Sequence, residues 1–250
     1  MLVRTWNAFH GNSVPPGRQS FLEEGVRMVT EDRPDVVCLQ ELPVWSVSRL
    51  GEWSGMAAFG AVARRPSLGP LPSTAEIGRF VTALHPGVLR SAFAGQANAI
   101  LVAPSLRVLA TEEIVLNPAA FRRRLAGLNV VERLAWARER RVCQAVRLDG
   151  VLVANLHATR FRKLAEHELV RAAAFVDGLA QPEEPVVLAG DFNVFSVRLE
   201  EWGFRGGGHG VDHVLARGLS VSRLGAWPLE RRRRRGIVLS DHAPVDATVA

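Results

Sequence analysis

The chain has no tyrosine, one lysine (Lys163) and only two cysteines, Cys38 and Cys143, in 250 residues. Each cysteine sits inside an apolar run with no CxxC or Cys/His partner spacing, which excludes a disulfide framework and a structural zinc site and leaves two reduced core thiols. Long apolar runs are also missing. Runs such as VVCL at 36–39 and VVLA at 186–189 fall far short of the roughly 20 residues of a membrane-spanning helix. The opening MLVRTWN lacks the basic-then-apolar order of a signal peptide, so a cytoplasmic protein is expected. No repeat, low-complexity tail or Ser/Gly linker interrupts the chain, so residues 1–250 are read as a single domain, with a monomer as the working expectation. Aromatics make up 7% of the residues, which leaves little for nucleobases to stack on.

What is present describes a folded protein: 48% hydrophobic, 22% charged, with 22 Gly and 14 Pro. The formal net charge is +6, and 30 of the 31 cations are arginine. Arginine suits phosphate recognition through its planar fork of donors, although a G+C-rich genome would give the same bias. Short apolar runs rich in β-branched residues predict strands at 2–6, 36–39, 99–103, 142–148, 151–156, 186–189, 211–215, 219–224 and 245–249. Apolar residues at helical spacing predict helices at 18–31 and 161–180, with two shorter ones within 118–141. Residues 66–72 read as an irregular loop. Strands and helices in this irregular alternation imply a layered α/β protein whose sheets are covered by helices.

Five apolar runs stop at polar, chemically able residues. LVRTW ends at Asn7, VVCL at Gln40 and Glu41, VLVA at Asn155 and His157, VVLAG at Asp191 and Asn193, and GIVLS at Asp241 and His242. One such ending is ordinary. Five gathered on one rim would form a polar pocket above an apolar floor, where α/β proteins place their ligands. Carboxylates and amides are the donors a hard cation such as Mg²⁺ or Mn²⁺ prefers, and Mg²⁺ is usually held by only one or two direct carboxylates.

The segments TWN, LQE, NLH, GDFN, VDHVL and SDHAPV, in that order between residues 5 and 245, resemble the endonuclease/exonuclease/phosphatase superfamily of deoxyribonuclease-like metal-dependent phosphoesterases. GDFN and SDH are the most specific of them. The resemblance implies a four-layered αββα sandwich with two mixed sheets covered by helices. It also implies Glu41 as the main metal carboxylate, Asn7 as its amide neighbour and Asp241 as a direct or water-mediated ligand. Asp191 would orient or deprotonate the attacking water, and Asn193 would reach the scissile phosphate from an extended segment. His242 would contact phosphate or share the proton work with Asp212 as its carboxylate partner, and His157 matches the NxH histidine of the family. Whether Asp191 or His242 is the base stays open. Abasic-site endonucleases usually place a tyrosine near the phosphate, so the absence of tyrosine counts against that branch. Val194 stands where a hydroxyl residue is common.

Other motifs carry less. Ser240, Asp241 and His242 cannot form a hydrolytic relay, because adjacent residues in extended chain point to opposite sides. GFRGGGHG at 203–210 lacks the Lys-Ser/Thr ending of a phosphate loop and reads as a flexible loop near the site. His209 and His213 do not read as a helical zinc pair, and His10 could touch substrate. Asn155 could equally satisfy a strand end, and Gln40 reads as an orienting residue. The run Arg231 to Arg235 is expected to be an exposed loop, either solvated or recruiting a polyanion. Arg122 to Arg124, Arg133, Arg138, Arg140 and Arg141, with Trp136, are expected on a charged helix surface. The expected function is divalent-metal-dependent hydrolysis of phosphodiesters, of nucleic acid in the first reading, or of a phosphorylated metabolite or lipid headgroup in the second. A binding module without activity is disfavoured because every expected position is filled.

Overall fold

The computed structural model describes residues 1–17, 19–68, 71–84, 93–124, 129–130, 133–134, 136 and 140–250. The first half of the chain forms β1 (Leu2–Asn7), β2 (Ser13–Val14), α1 (Leu22–Thr30), β3 (Val36–Leu42), α2 (Leu50–Ser54), β4 (Ala57–Arg64), β5 (Ser67–Leu68), β6 (Leu71–Pro72), α3 (Ala75–Leu84), β7 (Gln96–Val102), β8 (Val108–Val115) and α4 (Ala119–Arg124). The second half forms β9 (Val142–Leu148), β10 (Val151–His157), α5 (Arg162–Leu179), β11 (Val186–Asp191), β12 (Arg205–His209), β13 (Asp212–Arg217), β14 (Val221–Ala226), β15 (Arg233–Arg234), β16 (Ile237–Leu239) and β17 (Val245–Val249).

Among the described residues, two six-stranded mixed sheets run β14-β17-β1-β3-β7-β4 and β12-β13-β11-β10-β9-β8. Strand alternation explains how they stack. Val3, Val36, Cys38, Ile100 and Val102 of the first sheet meet Val146, Val153, Val187, Ala189 and Val214 of the second in one apolar layer. The alternate residues face outwards. Trp6, Val37 and Leu39 pack with α1 through Val26 and Val29, and Leu152, Ala154 and Leu188 pack with α5 through Leu169, Ala173 and Val176. Helix, sheet, sheet and helix therefore follow in order, the αββα sandwich expected. Both cysteines are buried and free. No helix among the described residues is long and apolar enough to cross a membrane.

Several expectations are corrected. Residues 66–72 include a small two-stranded ribbon, β5 with β6. The glycine run forms β12, paired antiparallel with β13 at the edge of the second sheet. Glycine suits it there, because a Cβ on Gly208 would lie 1.9 Å from the Asp212 carbonyl oxygen. Within 118–141 the structure shows α4, while Arg138 and residues 125–128 lie outside the described part. Trp136 is fully buried and its Nε1–H donates to Glu168 at 2.5 Å, so this is not simply a charged surface.

The Arg231 to Arg235 run is neither a free loop nor an unpaired cationic patch. Arg231 donates to Asp32 at 2.7 Å and its guanidinium lies 3.4 Å from the Trp227 ring centre. Arg234 pairs with Glu31 at 3.3 Å and Arg235 with Glu24 at 3.6 Å, all on or beside α1. Arg4, fully buried in β1, lies under the same cluster.

Candidate active site

One rim of the inner layer collects the polar strand ends. On the second sheet, β10 and β11 run parallel with His157 opposite Asp191, and β11 and β13 run antiparallel with Asp191 opposite Asp212. This places three ionisable side chains side by side on the inner face. Gly190 makes the register possible: its φ is +145°, and a Cβ there would lie 2.0 Å from the Leu156 carbonyl oxygen. On the first sheet, β1 and β3 run parallel with Asn7 opposite Gln40. Gln40 Nε2 donates to Thr5 at 3.0 Å and to Asn155 Oδ1 at 2.8 Å, and Asn155 Nδ2 donates to the Leu39 and Ala99 carbonyls. Gln40 and Asn155 thus fasten the sheets together beneath the site.

Simple alternation would turn Glu41 away from this rim. The ladder of β3 with β7 instead breaks between Leu39 and Leu42, and Glu41 adopts φ +52°. That bulge turns its carboxylate inwards, 3.7 Å from His157 Nε2 and 3.6 Å from His10 Nε2. Asn7 Nδ2 crosses between the sheets and donates to Asp191 Oδ2 at 2.9 Å, while Asn7 Oδ1 accepts from the Phe9 N–H. His157 Nε2 is 3.6 Å from the same Asp191 oxygen.

His242 arrives from the turn before β17. Ser240, at φ +62°, donates its hydroxyl to the Asn7 carbonyl at 2.7 Å and accepts from the His242 N–H at 3.1 Å. His242 Nδ1 is 2.7 Å from Asp212 Oδ2, and its Nε2 is 3.9 Å from Asp191. Asp191, Asp212 and His242 form a compact group of metal-capable donors. Asp241 is exposed, its carboxylate 3.4 Å from Ser240 Oγ. Asn193 departs from the extended geometry expected. It turns at φ +52°, its N–H donates to Asp191 Oδ1, and Nδ2 donates to the Ala158 carbonyl at 2.8 Å.

The electrostatics follow from burial. Burial and the neighbouring Asp191 charge push the Glu41 carboxyl up to about 7, against the pull of Arg141, His242 and Asn7. Burial likewise raises Asp191, opposed by His242 and Asn7, and raises Asp212, opposed by its bond to His242. Burial disfavours charge on His242, but the Asp212 hydrogen bond and charge overcome it and carry the imidazole up to about 9. His157 is pushed well down by burial and by the positive charge of Arg141 and His242. Burial also lowers His213, whose Nε2–H donates to the Val194 carbonyl at 2.8 Å. The residues fit a divalent cation. Three carboxylates are crowded together with too little positive charge, and Asp212 Oδ1 is buried without a hydrogen-bond partner.

Reading the strand ends missed Gln96 and Arg141 and gave His10 only as a possible substrate contact. Gln96 Nε2 meets His157 Nδ1 at 3.0 Å, so the β7 amide fixes that imidazole. His10, 6% exposed, flanks Glu41. Arg141 is buried where β9 begins, and its charge acts on Glu41, His157 and Asp191. Only its position immediately before an apolar strand separated it from the other arginines.

The family model described as Endonuclease/Exonuclease/phosphatase family matches residues 5–242. The chain belongs to that family. It is accordingly an enzyme of the phosphoester-hydrolysing kind, and enzymes of the family depend on divalent metal. Among solved structures, a conserved protein of unknown function from Enterococcus faecalis V583 is similar at 18% identity and TM-score 0.68, over 100% of this chain and 99% of that one. The mannosyl-6-phosphatase of Bacteroides thetaiotaomicron is similar at 14% identity and TM-score 0.68, over 100% and 99%. The TDP2 of Caenorhabditis elegans is similar at 15% identity and TM-score 0.59, over 100% and 74%. At such identities the likeness is one of fold. No curated protein matches the chain.

Proposed function

We propose that this chain, acting as one catalytic domain, hydrolyses phosphodiester bonds with a divalent cation, Mg²⁺ or Mn²⁺, by direct attack of water. The observation that supports this most is the in-register row His157, Asp191 and Asp212 facing Glu41 and Asn7 across the seam between the sheets. Glu41 and the Asn7 side-chain oxygen would hold the cation, with Asp241 through water. Bound there, it would supply positive charge against the phosphoryl oxygens and the leaving oxygen.

The remaining roles follow from which atoms are already engaged. His242 uses Nδ1 on Asp212, so Nε2 faces the site and donates to a phosphoryl oxygen. Asp191 accepts from Asn7 and from the Asn193 N–H, which holds its carboxylate still as it takes the proton of the attacking water. Asn193 Nδ2 spends one N–H on Ala158, and its second N–H is the donor for substrate. His157, held by Gln96, and buried Arg141 add donors where negative charge builds.

Nucleic acid is the first substrate class proposed, from net charge and phosphodiester chemistry. A compact phosphorylated molecule is the second, favoured by the Arg231 to Arg235 run, in which Arg231, Arg234 and Arg235 are paired with Asp32, Glu31 and Glu24. A panel of plasmid DNA, single-stranded DNA, RNA, bis(p-nitrophenyl) phosphate, nucleotides and sugar phosphates, each with Mg²⁺ or Mn²⁺, separates them. Hydrolysis that chelation stops and Asp191→Asn abolishes is the expected result. No hydrolysis of any diester would overturn the proposal.

A further inference from the structure

Beside the catalytic rim, on the outer face of the second sheet, lies a cleft of about 470 Å³ whose lining includes Phe195, Phe204, Arg205, Gly207 and His213. Two short steps along the chain connect it to the catalytic group. Asp212 faces inwards and His213, next in β13, faces outwards. Asn193 belongs to the catalytic turn and Phe195 stands two residues beyond it.

Its lining has the parts of a ring-binding site. Phe195 is 84% exposed, which leaves an aromatic face open to a ligand. His213 is 5% exposed. Its Nε2–H is committed to the Val194 carbonyl at 2.8 Å and its ring lies 5.3 Å from the Phe192 ring. Nδ1, the remaining acceptor, is buried without a hydrogen-bond partner. The glycines of β12 keep one wall free of side chains, so a flat group can approach the backbone, and exposed Arg205 lies at the edge.

Resting on the phosphoesterase reading above, we infer that this cleft is a subsite for the nucleobase of a nucleotide substrate. The base stacks on Phe195, with the His213 ring in the wall beside it. The volume lies within the range of small-molecule sites, and stacking on an aromatic face tolerates every base.

The test measures affinities for adenosine 5′-monophosphate and ribose 5-phosphate by calorimetry, in the unmodified protein, in Phe195→Ala and in His213→Phe. The unmodified protein should bind the nucleotide at least about tenfold more tightly. Phe195→Ala should lose about 5- to 100-fold of that affinity, with ribose 5-phosphate binding and bis(p-nitrophenyl) phosphate hydrolysis unchanged. His213→Phe should lose base preference too, and exposed Phe195 keeps the test decisive if that variant fails to fold. Equal or undetectable binding of both ligands, or nucleotide affinity indifferent to Phe195→Ala, overturns the subsite. Diester hydrolysis without base preference removes the subsite alone, whereas base-selective binding without any hydrolysis removes the phosphoesterase reading and leaves the cleft standing.

Discussion

Two clusters of buried charge lie on neighbouring parts of this fold and are resolved in opposite ways. Around Arg4, the guanidinium donates to Asp32, Asp246 and the Val29 carbonyl through five hydrogen bonds of 2.5 to 2.9 Å. Trp227 lies 4.3 Å from that guanidinium and donates its own N–H to Asp246. Every Arg4 donor is matched. At the rim, Glu41, Asp191 and Asp212 are held together although burial raises all three, and an oxygen of Asp212 is left over. The matched cluster holds α1 to the first sheet, and the unmatched one keeps its attraction for something outside the protein.

The difference can be broken most directly at Arg4. Arg4→Met leaves Asp32 and Asp246 without their buried partner and should cost about 3–5 kcal/mol, read as a lower urea midpoint. Little change would mean that this cluster is no more structural than the rim. The reverse change is Asp191→Asn, which should lower turnover by about 10²-fold or more while leaving the melting temperature equal or higher, because it removes a crowded buried charge. Loss of fold in that variant would erase the contrast.

A cation sharpens the comparison further. Mg²⁺ or Mn²⁺ at a hundred times its dissociation constant should stabilise the protein by about 2.7 kcal/mol, seen as a raised melting temperature. Glu41→Gln should abolish most of that rise, and Arg231→Ser should leave it intact. Arg231→Ser itself should cost only about 1 kcal/mol, since the residue is partly exposed and its ion pair is screened, and should leave turnover unchanged.

The smallest effect concerns acid. The Arg4 hydrogen bond, opposed by burial, holds the Asp32 carboxyl at about 2 against an ordinary 3.8. A depressed carboxylate stabilises the fold above its unfolded value and loses that contribution as pH falls from about 4 to about 2. Denaturation midpoints followed through that window should fall less steeply in Asp32→Asn.

Strand ends were the legible part of this molecule, because an apolar run must stop where its sheet meets water and the last inward residue shows at the rim. Asn7, His157, Asp191 and Asp212 all follow that rule of alternation. Glu41 reaches the same rim only through a bulge, and the sequence LQEL carries no mark of one. Strand β8 was missed because its largely exposed residues do not form an apolar run, β4 because its apolar run is alanine-rich, split by Gly60 and has Val62 as its one β-branched residue, and β12 because glycine signals a loop unless a close backbone neighbour demands it. The arginine run was misjudged for a related reason: acidic partners some two hundred residues away in sequence, Asp32 and Glu31, cannot be seen by reading along the chain. Family resemblance supplied the αββα layering, which composition alone left at a layered α/β protein.

The hydrogen bond from Asn7 to Asp191 ties a residue of one sheet to a residue of the other, so the reacting centre has no scaffold of its own and spans a seam. Its geometry is then a gauge of how thick the apolar layer beneath it is. A methylene too many at Ala189 or Ala247 would wedge the seam open at the floor. The amide would be drawn off the carboxylate while both sheets were still fully folded. In such a protein a packing error reaches activity as well as stability, since overpacking a core typically costs about 1–3 kcal/mol.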